Sequence, residues 1–146
     1  MSPAAPRIRL LILCTGNSCR SQLAAAWVRE LQGERFEVES AGTRPAPAVH
    51  PLAIRVMAEV GIDLTGARPQ AVDSLAGHSF DLVVTVCDAA RESCPVLPGA
   101  KRSLHLSFPD PALADGTDEE RLAVFRHVRD EIRARLLPAL EASLAS

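Results

Sequence analysis

The stretch from Cys14 to Ser21, which reads Cys-Thr-Gly-Asn-Ser-Cys-Arg-Ser, combines a thiol with the features of an anion-binding loop. It follows a short apolar run and precedes a helical pattern. A strand-to-helix turn directs backbone N–H groups and the positive end of the helix into one concavity. Gly and Asn tolerate the left-handed backbone that a tight cradle requires. The residues predicted to bind a tetrahedral oxyanion are Thr15, Gly16, Asn17, Ser18, Cys19 and Arg20.

Cys14 is the predicted nucleophile of this loop. Arg20 can offer two parallel donors to a bound oxyanion, and the same positive groups favour the thiolate form of Cys14 at neutral pH. Ser21 can donate a hydrogen bond to that thiolate. The alternative is that Cys14 only ends a strand while Arg20 is solvated. Cys19 has no distinct chemical role at its position, and we expect it to pack as a small hydrophobic residue.

Two further cysteines, Cys87 and Cys94, follow a second apolar run with six residues between them. This interval is polar and is predicted to form a short helix that moves, because cysteines about two helical turns apart cannot form a disulfide without rearrangement. The pair favours redox chemistry, with simple burial as the alternative. Zinc ligands usually come in closely spaced pairs, and the spacing of these cysteines with Cys14 and Cys19 does not fit. No metal site is expected.

Asp110 lies between Pro109 and Pro111. The following proline biases its backbone to an extended conformation, which projects the carboxyl group from a stiff loop. An acid held near a bound anion can protonate a departing oxygen. The alternative is an Asp that only forms a turn.

Four short stretches predict the strands that position these side chains. Ile8 to Leu13 is nearly continuous in apolar residues, as expected for a central parallel strand covered on both faces. Phe36 and Val38 alternate with glutamates in a strand with one wetter side. Leu82 to Val86 is as apolar as the first run and is expected beside it, and Leu104 to Leu106 is a weaker fourth strand.

Helical patterns lie between and after these strands. The first helix is stopped by Gly33, and the second begins at Pro51 and closes at Gly61. The last begins at a capping box formed by Thr117 and Glu120. Pro138 is expected to kink or fray its end. The predicted inner faces are Leu23, Trp27 and Leu31 in the first helix, Ala53, Val56, Met57 and Val60 in the second, and Leu122, Phe125, Val128, Ile132, Leu136 and Leu140 in the last.

Strands that alternate with helices predict an α/β fold, a four-stranded parallel sheet flanked by helices, in a single domain spanning residues 1–146. In such sheets, ligands bind beyond the carboxyl ends of the strands. The loops after Leu13, Val86 and Leu106 are expected to emerge there, and each carries one of the reactive side chains.

The composition excludes several classes of partner. The chain has 146 residues, with 16 Lys plus Arg against 18 Asp plus Glu, so no basic surplus is present to bind nucleic acid or an anionic membrane. No apolar run approaches the roughly 18 residues of a membrane span. The opening MSPAAPRIR lacks the pattern of a secretory signal. We expect a cytoplasmic monomer whose cysteines take part in chemistry rather than form structural disulfides.

The octapeptide resembles the Cys-x5-Arg-Ser signature of the low-molecular-weight protein tyrosine phosphatases and of the thioredoxin-coupled arsenate reductases that share their fold. The resemblance implies a low-molecular-weight phosphatase-like fold and reduction of arsenate to arsenite, with phosphate as a competing anion. Further stretches that resemble arsenate reductases extend over almost the whole chain: residues 39–42, 53–64, 83–87, 108–112 and 125–132.

In those arsenate reductases a first thiolate attacks arsenic, and a second thiolate then attacks the sulfur of the first to form a disulfide. A third thiolate resolves that disulfide. By position these roles fall on Cys14, Cys87 and Cys94, with Asp110 as the general acid. An external dithiol then reduces the disulfide between Cys87 and Cys94. Thioredoxin is the expected partner, with glutaredoxin or a low-molecular-weight thiol as alternatives, and no tightly bound cofactor is implied.

Two other functions stay open. A low-molecular-weight phosphatase that hydrolyses phosphate monoesters needs the same loop, and residual phosphatase activity is compatible with a reductase. Phosphatases of this family commonly place tyrosines just after the acid, whereas this chain has no Tyr and reads Ala112-Leu113-Ala114 there. A non-catalytic oxyanion-binding or redox-sensing module would keep the loop without turnover.

Overall fold

The computed structural model describes residues 7–75, 77–87 and 100–145, and its centre is a four-stranded parallel sheet. Its strands are β1 (Ile8–Cys14), β2 (Phe36–Gly42), β3 (Leu82–Thr85) and β4 (Arg102–His105). The strand order is β2-β1-β3-β4. The predictions that β1 is central and that β3 lies beside it are therefore confirmed.

Both faces of β1 are buried, as its continuous apolar run predicts. Leu10 and Ile12 belong to the larger core, to which the helices α1 (Arg20–Gln32), α2 (Pro51–Ala58) and α3 (Asp118–Ala145) contribute their apolar faces. Leu11 and Leu13 belong to a smaller core on the opposite face, which a short 3-10 helix (Val72–Leu75) helps to cover. A second 3-10 helix spans Pro111–Leu113. No helix in the described ranges is long and apolar enough to cross a membrane.

Helix α1 ends near Gly33, as predicted, but for a different local reason. Gly33 has a right-handed backbone with φ −62°, and a Cβ atom there would lie 2.5 Å from the Arg29 carbonyl oxygen. Close approach of the backbone therefore requires the glycine. Leu31 is 42% exposed, so its prediction as part of the inner face was wrong. Trp27 is buried, and its indole N–H donates to the Arg129 carbonyl at 3.0 Å.

Helix α2 begins at Pro51, as predicted, and its last residue is Ala58. The His50 side chain caps it, since Nδ1 accepts from the Leu52 N–H at 3.1 Å. Val60 lies beyond the helix and is 38% exposed, so its prediction as a core residue was wrong. Gly61 closes the turn with φ +83°, a conformation that L side chains rarely adopt.

Helix α3 begins at the predicted capping box. Thr117 N–H donates to Glu120 Oε1 at 3.1 Å, and Glu120 N–H donates to Thr117 Oγ1 at 3.2 Å. Pro138 does not end the helix, which continues to Ala145. Burial of Leu140 just beyond the proline accounts for this, because tertiary packing stabilises the last turns. The predicted inner face is confirmed, since all six of its side chains are buried: Leu122, Phe125, Val128, Ile132, Leu136 and Leu140.

Charged side chains connect α2 and α3. Arg129 of α3 is buried and donates to the Val56 carbonyl at 2.8 Å and to Glu59 Oε1 at 3.0 Å. Arg126 donates to both carboxylate oxygens of Glu59 at 2.8 to 3.1 Å. These hydrogen bonds, with that from Arg126 the strongest, lower the pKa of Glu59 to about 2. The end of α2 is thus held to α3 by ionic as well as apolar contacts.

The carboxyl ends of the strands meet at one edge of the sheet. The Val86 N–H donates to the Leu13 carbonyl and the Leu106 N–H donates to the Thr85 carbonyl, each at 2.9 Å, so the ladder extends just past β3 and β4. Cys14 and Cys87 therefore leave neighbouring strands at the same edge, as predicted. Cys94, and the short helix predicted between it and Cys87, lie outside the described residues.

Candidate active site

Hydrogen bonds from the segment that follows β2 fix the backbone of the loop from Cys14 to Arg20. The carbonyls of Thr15, Gly16 and Ser18 accept hydrogen bonds from the backbone N–H groups of residues 44, 46 and 50 at 2.9 to 3.0 Å. In a trans peptide the C=O and the next N–H point in opposite directions. Because these carbonyls point outward, the N–H groups of residues 16, 17 and 19 point inward, which is the arrangement that the predicted anion cradle requires.

Gly42, the last residue of β2, allows this approach. A Cβ atom at Gly42 would lie 2.4 Å from the Thr15 carbonyl oxygen and 3.1 Å from the Asn17 nitrogen. Both contacts are with backbone atoms, which cannot move aside as a flexible side chain can. The loop can therefore pack on the end of β2 only because residue 42 is glycine.

The Cys14 sulfur is buried and is hydrogen-bonded to the loop and to the first turn of α1. Sγ lies 2.9 Å from Ser21 Oγ, and the Asn17 N–H donates to it at 3.2 Å. Ser21 is buried at the start of α1, so its hydroxyl is oriented toward the sulfur by the helix itself. The predicted contact between Ser21 and Cys14 is present.

Asn17 connects the loop to a distant segment. Its side chain is fully buried, and its backbone is left-handed with φ 51°, as the cradle requires. Its Nδ2 donates to Ser21 Oγ at 2.7 Å, and its Oδ1 accepts from the Gln70 N–H at 2.9 Å. Gln22 Nε2 donates to the Asn17 carbonyl at 3.1 Å. Sequence reasoning assigned no role to Gln22, because no local pattern relates it to this loop.

Arg20 and Asp110 come together although they are 90 positions apart in the sequence. Arg20 is 3% exposed; its guanidinium NH1 donates to the Phe108 carbonyl at 3.3 Å, and NH2 lies 3.7 Å from Asp110 Oδ2. Asp110 has the extended backbone expected before a proline. Its other oxygen, Oδ1, accepts from the Ala112 N–H at 3.0 Å. The carboxyl group thus both caps a turn and faces the anion loop.

These side chains enclose a cavity of about 220 Å³. Its lining consists of Cys14, Thr15, Gly16, Ser18, Cys19, Arg20 and Asp110. The Thr15 hydroxyl oxygen is buried there and has no hydrogen-bond partner among the described residues. Cys19 is buried in the wall, as predicted, and burial raises its pKa to about 12, so it stays a neutral thiol. Cys14 is therefore the cavity cysteine suited to act as the nucleophile.

The other cysteines of the predicted relay are partly described. Cys87 is buried and disulfide-bonded, whereas Cys14 and Cys19 are free thiols. The sulfur that pairs with Cys87 lies outside the described residues.

Two observations bear on other kinds of site. A larger groove of about 780 Å³ lies at the amino-terminal end of the sheet, between α1 and β2. It is lined largely by Arg and Glu, and no Cys, Ser, Thr or His is found among its described lining residues. Within the described part of the chain, no cluster of three or more His, Cys, Asp or Glu side chains is arranged to hold a metal ion. The reactive side chains Cys14, Arg20 and Asp110 thus lie at the opposite edge of the sheet, where the strands have their carboxyl ends.

Comparison with known proteins shows the family of the chain. Residues 9–145 match the low molecular weight phosphotyrosine protein phosphatase family, so the chain belongs to that family. Among its relatives, the arsenate reductase of Halalkalibacterium halodurans is 46% identical over 127 residues, which are 87% of this chain and 91% of the relative. The resemblance to arsenate reductases inferred from the sequence is confirmed.

Solved structures of arsenate reductases also resemble this chain. An arsenate reductase in the phosphate binding state superposes with a TM-score of 0.77 and 28% identity, covering 92% of this chain and 98% of that one. A thioredoxin-dependent arsenate reductase of Corynebacterium glutamicum superposes with a TM-score of 0.67 and 28% identity, covering 97% of this chain and 65% of that one. The α/β fold predicted from the sequence, with a low-molecular-weight phosphatase-like architecture, is confirmed.

Proposed function

We propose that this protein is an arsenate reductase that converts arsenate to arsenite through Cys14, Cys87 and Cys94, and that thioredoxin regenerates it. The observation that supports the proposal most directly is the small cavity in which the Cys14 sulfur, the Arg20 guanidinium and the Asp110 carboxyl group meet. The relatives add the substrate, since the similar proteins are arsenate reductases and one is thioredoxin-dependent.

In the first step the Cys14 thiolate attacks arsenic. Backbone N–H groups of the loop and the Arg20 fork hold the arsenate oxygens, and the unpartnered Thr15 hydroxyl lies in the same wall. Ser21 donates to the sulfur and stabilises the thiolate before the attack. Asp110 gives its proton to one oxygen, which leaves as water. An arsenic–sulfur bond forms, an arsenic–oxygen bond breaks, and arsenic is not yet reduced.

Reduction follows through disulfide chemistry. The Cys87 thiolate attacks the Cys14 sulfur, and the arsenic–sulfur electron pair stays on arsenic, which leaves as arsenite. The Cys94 thiolate then attacks Cys87 and releases Cys14 as a thiolate. A thioredoxin dithiol reduces the Cys87–Cys94 disulfide, so two electrons pass to each arsenate.

The cycle also bears on where the protein would act. Because the relay must return to its thiol form after every turnover, we propose that it operates in the reducing cytoplasm, as a monomer with all three cysteines in one chain.

A phosphatase activity is the second candidate. The match to the phosphatase family favours it, and the nucleophile, the arginine and the acid are what hydrolysis of a phosphate monoester requires. This activity needs neither Cys87 nor Cys94, so the two functions are separable by substitution.

The test is arsenate-dependent NADPH consumption in the presence of thioredoxin and thioredoxin reductase, with hydrolysis of p-nitrophenyl phosphate measured alongside. Cys14→Ser should abolish both activities, because an alkoxide is far harder to form than a thiolate. Cys87→Ser and Cys94→Ser should each abolish sustained arsenate turnover and leave ester hydrolysis largely intact. Cys19→Ser is the matched control and should be comparatively mild.

Peptide mass spectrometry after one equivalent of arsenate tests the order of steps. The wild type should accumulate a Cys87–Cys94 disulfide, and the Cys94→Ser variant a Cys14–Cys87 disulfide with one arsenite released. Sustained thioredoxin-coupled turnover by either the Cys87 or the Cys94 variant would exclude the relay. Ester hydrolysis without arsenate reduction by the wild type would make the phosphatase the better assignment, and stoichiometric oxidation without turnover would indicate a redox sensor.

A further inference from the structure

A continuous chain of hydrogen bonds leads from Gln70 to the Cys14 sulfur. Gln70 N–H donates to Asn17 Oδ1 at 2.9 Å, Asn17 Nδ2 donates to Ser21 Oγ at 2.7 Å, and Ser21 Oγ lies 2.9 Å from Cys14 Sγ. Asn17 and Ser21 are fully buried, so water does not compete for these bonds. Gln70 is the member of the chain that lies farthest from the sulfur.

The direction of every bond in this chain follows from its first member. A backbone N–H can only donate, so the Asn17 atom that faces Gln70 must be the carbonyl oxygen, and the amide nitrogen must face Ser21. Ser21 Oγ accepts that bond, so its own hydrogen is available to be donated to the Cys14 thiolate, which can only accept. A donated O–H stabilises a thiolate more than a thiol. The Gln70 N–H therefore polarises the chain toward the charged form of the nucleophile.

The Gln70 side chain holds its own backbone in place. Nε2 donates one hydrogen to the Ser40 carbonyl at 2.9 Å and the other to Glu39 Oε2 at 3.0 Å. The Gly42 N–H also donates to the Gln70 carbonyl at 2.9 Å. Both side-chain bonds require a donor at position 70, because both partners are acceptors.

We propose that Gln70 is a positioning residue for Cys14, whose side chain clamps the Gln70 N–H onto Asn17 and thereby sets the direction of the hydrogen bond from Ser21. This rests on the proposed function only in that Cys14 is the nucleophile. Without the clamp the N–H leaves Asn17 and the amide can rotate. Ser21 then donates to Asn17 Oδ1 and presents a lone pair to the sulfur, which favours the uncharged thiol.

The experiment compares Gln70→Glu with Gln70→Lys. Glu has the same shape but presents only acceptors to the Ser40 carbonyl and the Glu39 carboxylate, whereas Lys restores a donor to both. The control is Gln32→Glu, which makes the same chemical change at the carboxyl-terminal end of α1, away from the loop that carries Cys14. Each fully reduced protein is alkylated with iodoacetamide, and the rate at Cys14 is followed by peptide mass spectrometry at pH 6 and at pH 10.

The ratio of the two rates reports the thiolate fraction at pH 6, and a change of access alone would lower both rates equally. Arg20, Asp110 and Cys19 around the cavity and Glu39 beside position 70 are the same in all variants. Gln70→Met removes the donor without adding a charge, and it should lower the ratio as Gln70→Glu does; an unchanged ratio in Gln70→Met would show that charge alone causes the effect of Gln70→Glu and would overturn the proposal. We expect Gln70→Glu to lower the ratio about threefold to tenfold, and Gln70→Lys and Gln32→Glu to keep it near the wild-type value. An unchanged ratio in Gln70→Glu, or an equal fall in Gln70→Lys, would overturn the proposal. Alkylation requires no arsenate, so a failure of arsenate reduction would not be mistaken for a failure here.

Discussion

Arg20 and Asp110 face each other in the wall of the cavity, with guanidinium NH2 3.7 Å from Asp110 Oδ2. The same guanidinium donates through NH1 to the Phe108 carbonyl, two residues before the acid. Arg20 therefore holds the loop that carries Asp110 against the loop that carries Cys14. Because the group proposed to bind the oxyanion also positions the proposed acid, loss of its planar fork should affect both.

Arg20→Lys should weaken oxyanion binding by roughly tenfold to a hundredfold, because an ammonium replaces two parallel donors with one point charge. Binding of inorganic phosphate, measured by calorimetry, checks this without reliance on turnover. Arg44→Lys, on the exposed segment after β2, is the control and should bind phosphate as the wild type does. Equal phosphate affinity in Arg20→Lys would contradict the assignment of Arg20 to the anion site.

Asp110→Asn should lower kcat for arsenate reduction by roughly 10²- to 10⁴-fold with little change in KM, since the amide keeps the size of the side chain but has no proton to give. The hydrogen bond from the Ala112 N–H to Oδ1 can persist in the amide, so the turn is retained. Asp115→Asn, an exposed substitution farther along the same loop, serves as the control. Steady-state kinetics at several pH values test whether Asp110 is the general acid. A wild-type kcat in Asp110→Asn would show that Asp110 only stabilises the turn.

Gly42→Ala should destabilise the fold and slow alkylation of Cys14, because the new Cβ would lie 2.4 Å from the Thr15 carbonyl oxygen. The matched control is Gly66→Ala, since no heavy atom lies within 4 Å of a Cβ there. Thermal unfolding and the Cys14 alkylation rate would be measured for both. We expect a clear loss in Gly42→Ala and almost none in Gly66→Ala; equal behaviour of the two would show that the loop does not depend on this contact.

Glu59 should make stability depend on pH between about 4.5 and about 2. Its hydrogen bonds from Arg126 and Arg129 lower its pKa in the folded state to about 2. A carboxyl group with a lowered folded pKa stabilises the fold above its unfolded pKa, and that contribution is lost as the pH falls toward the folded pKa. Glu59→Gln should therefore be less stable than the wild type at pH 7, with the difference shrinking by pH 2.5.

Denaturant unfolding at pH 7 and pH 2.5 measures this difference. Glu34→Gln, which changes an exposed carboxylate, should show little difference from the wild type at either pH. Because Glu59 is about one-third exposed, solvent screening keeps the expected effect modest. A Glu59 difference that grew as the pH fell would contradict the sign argued here.

Predictions from the sequence succeeded where short-range chemistry controls the structure. The capping box of Thr117 and Glu120 formed because its partners are three residues apart. The two wrong core assignments, Leu31 and Val60, lie at or just beyond the ends of helices. An apolar periodicity identifies the buried side of a helix but not the residue at which its neighbours stop covering it.

The sequence by itself determined the chemical inventory: a cysteine, an arginine and a serine at the spacing of an anion loop, on elements with clear periodicity. Only the tertiary structure decided which distant residues serve that loop. Gln70 meets Asn17 across 53 positions, and Arg20 meets the Phe108 carbonyl across 88. Such pairs leave no periodic signal, because they depend on how separate segments pack around the end of one sheet. The nucleophile could therefore be predicted from the sequence, whereas the hydrogen bonds that orient it could be identified only in the tertiary structure.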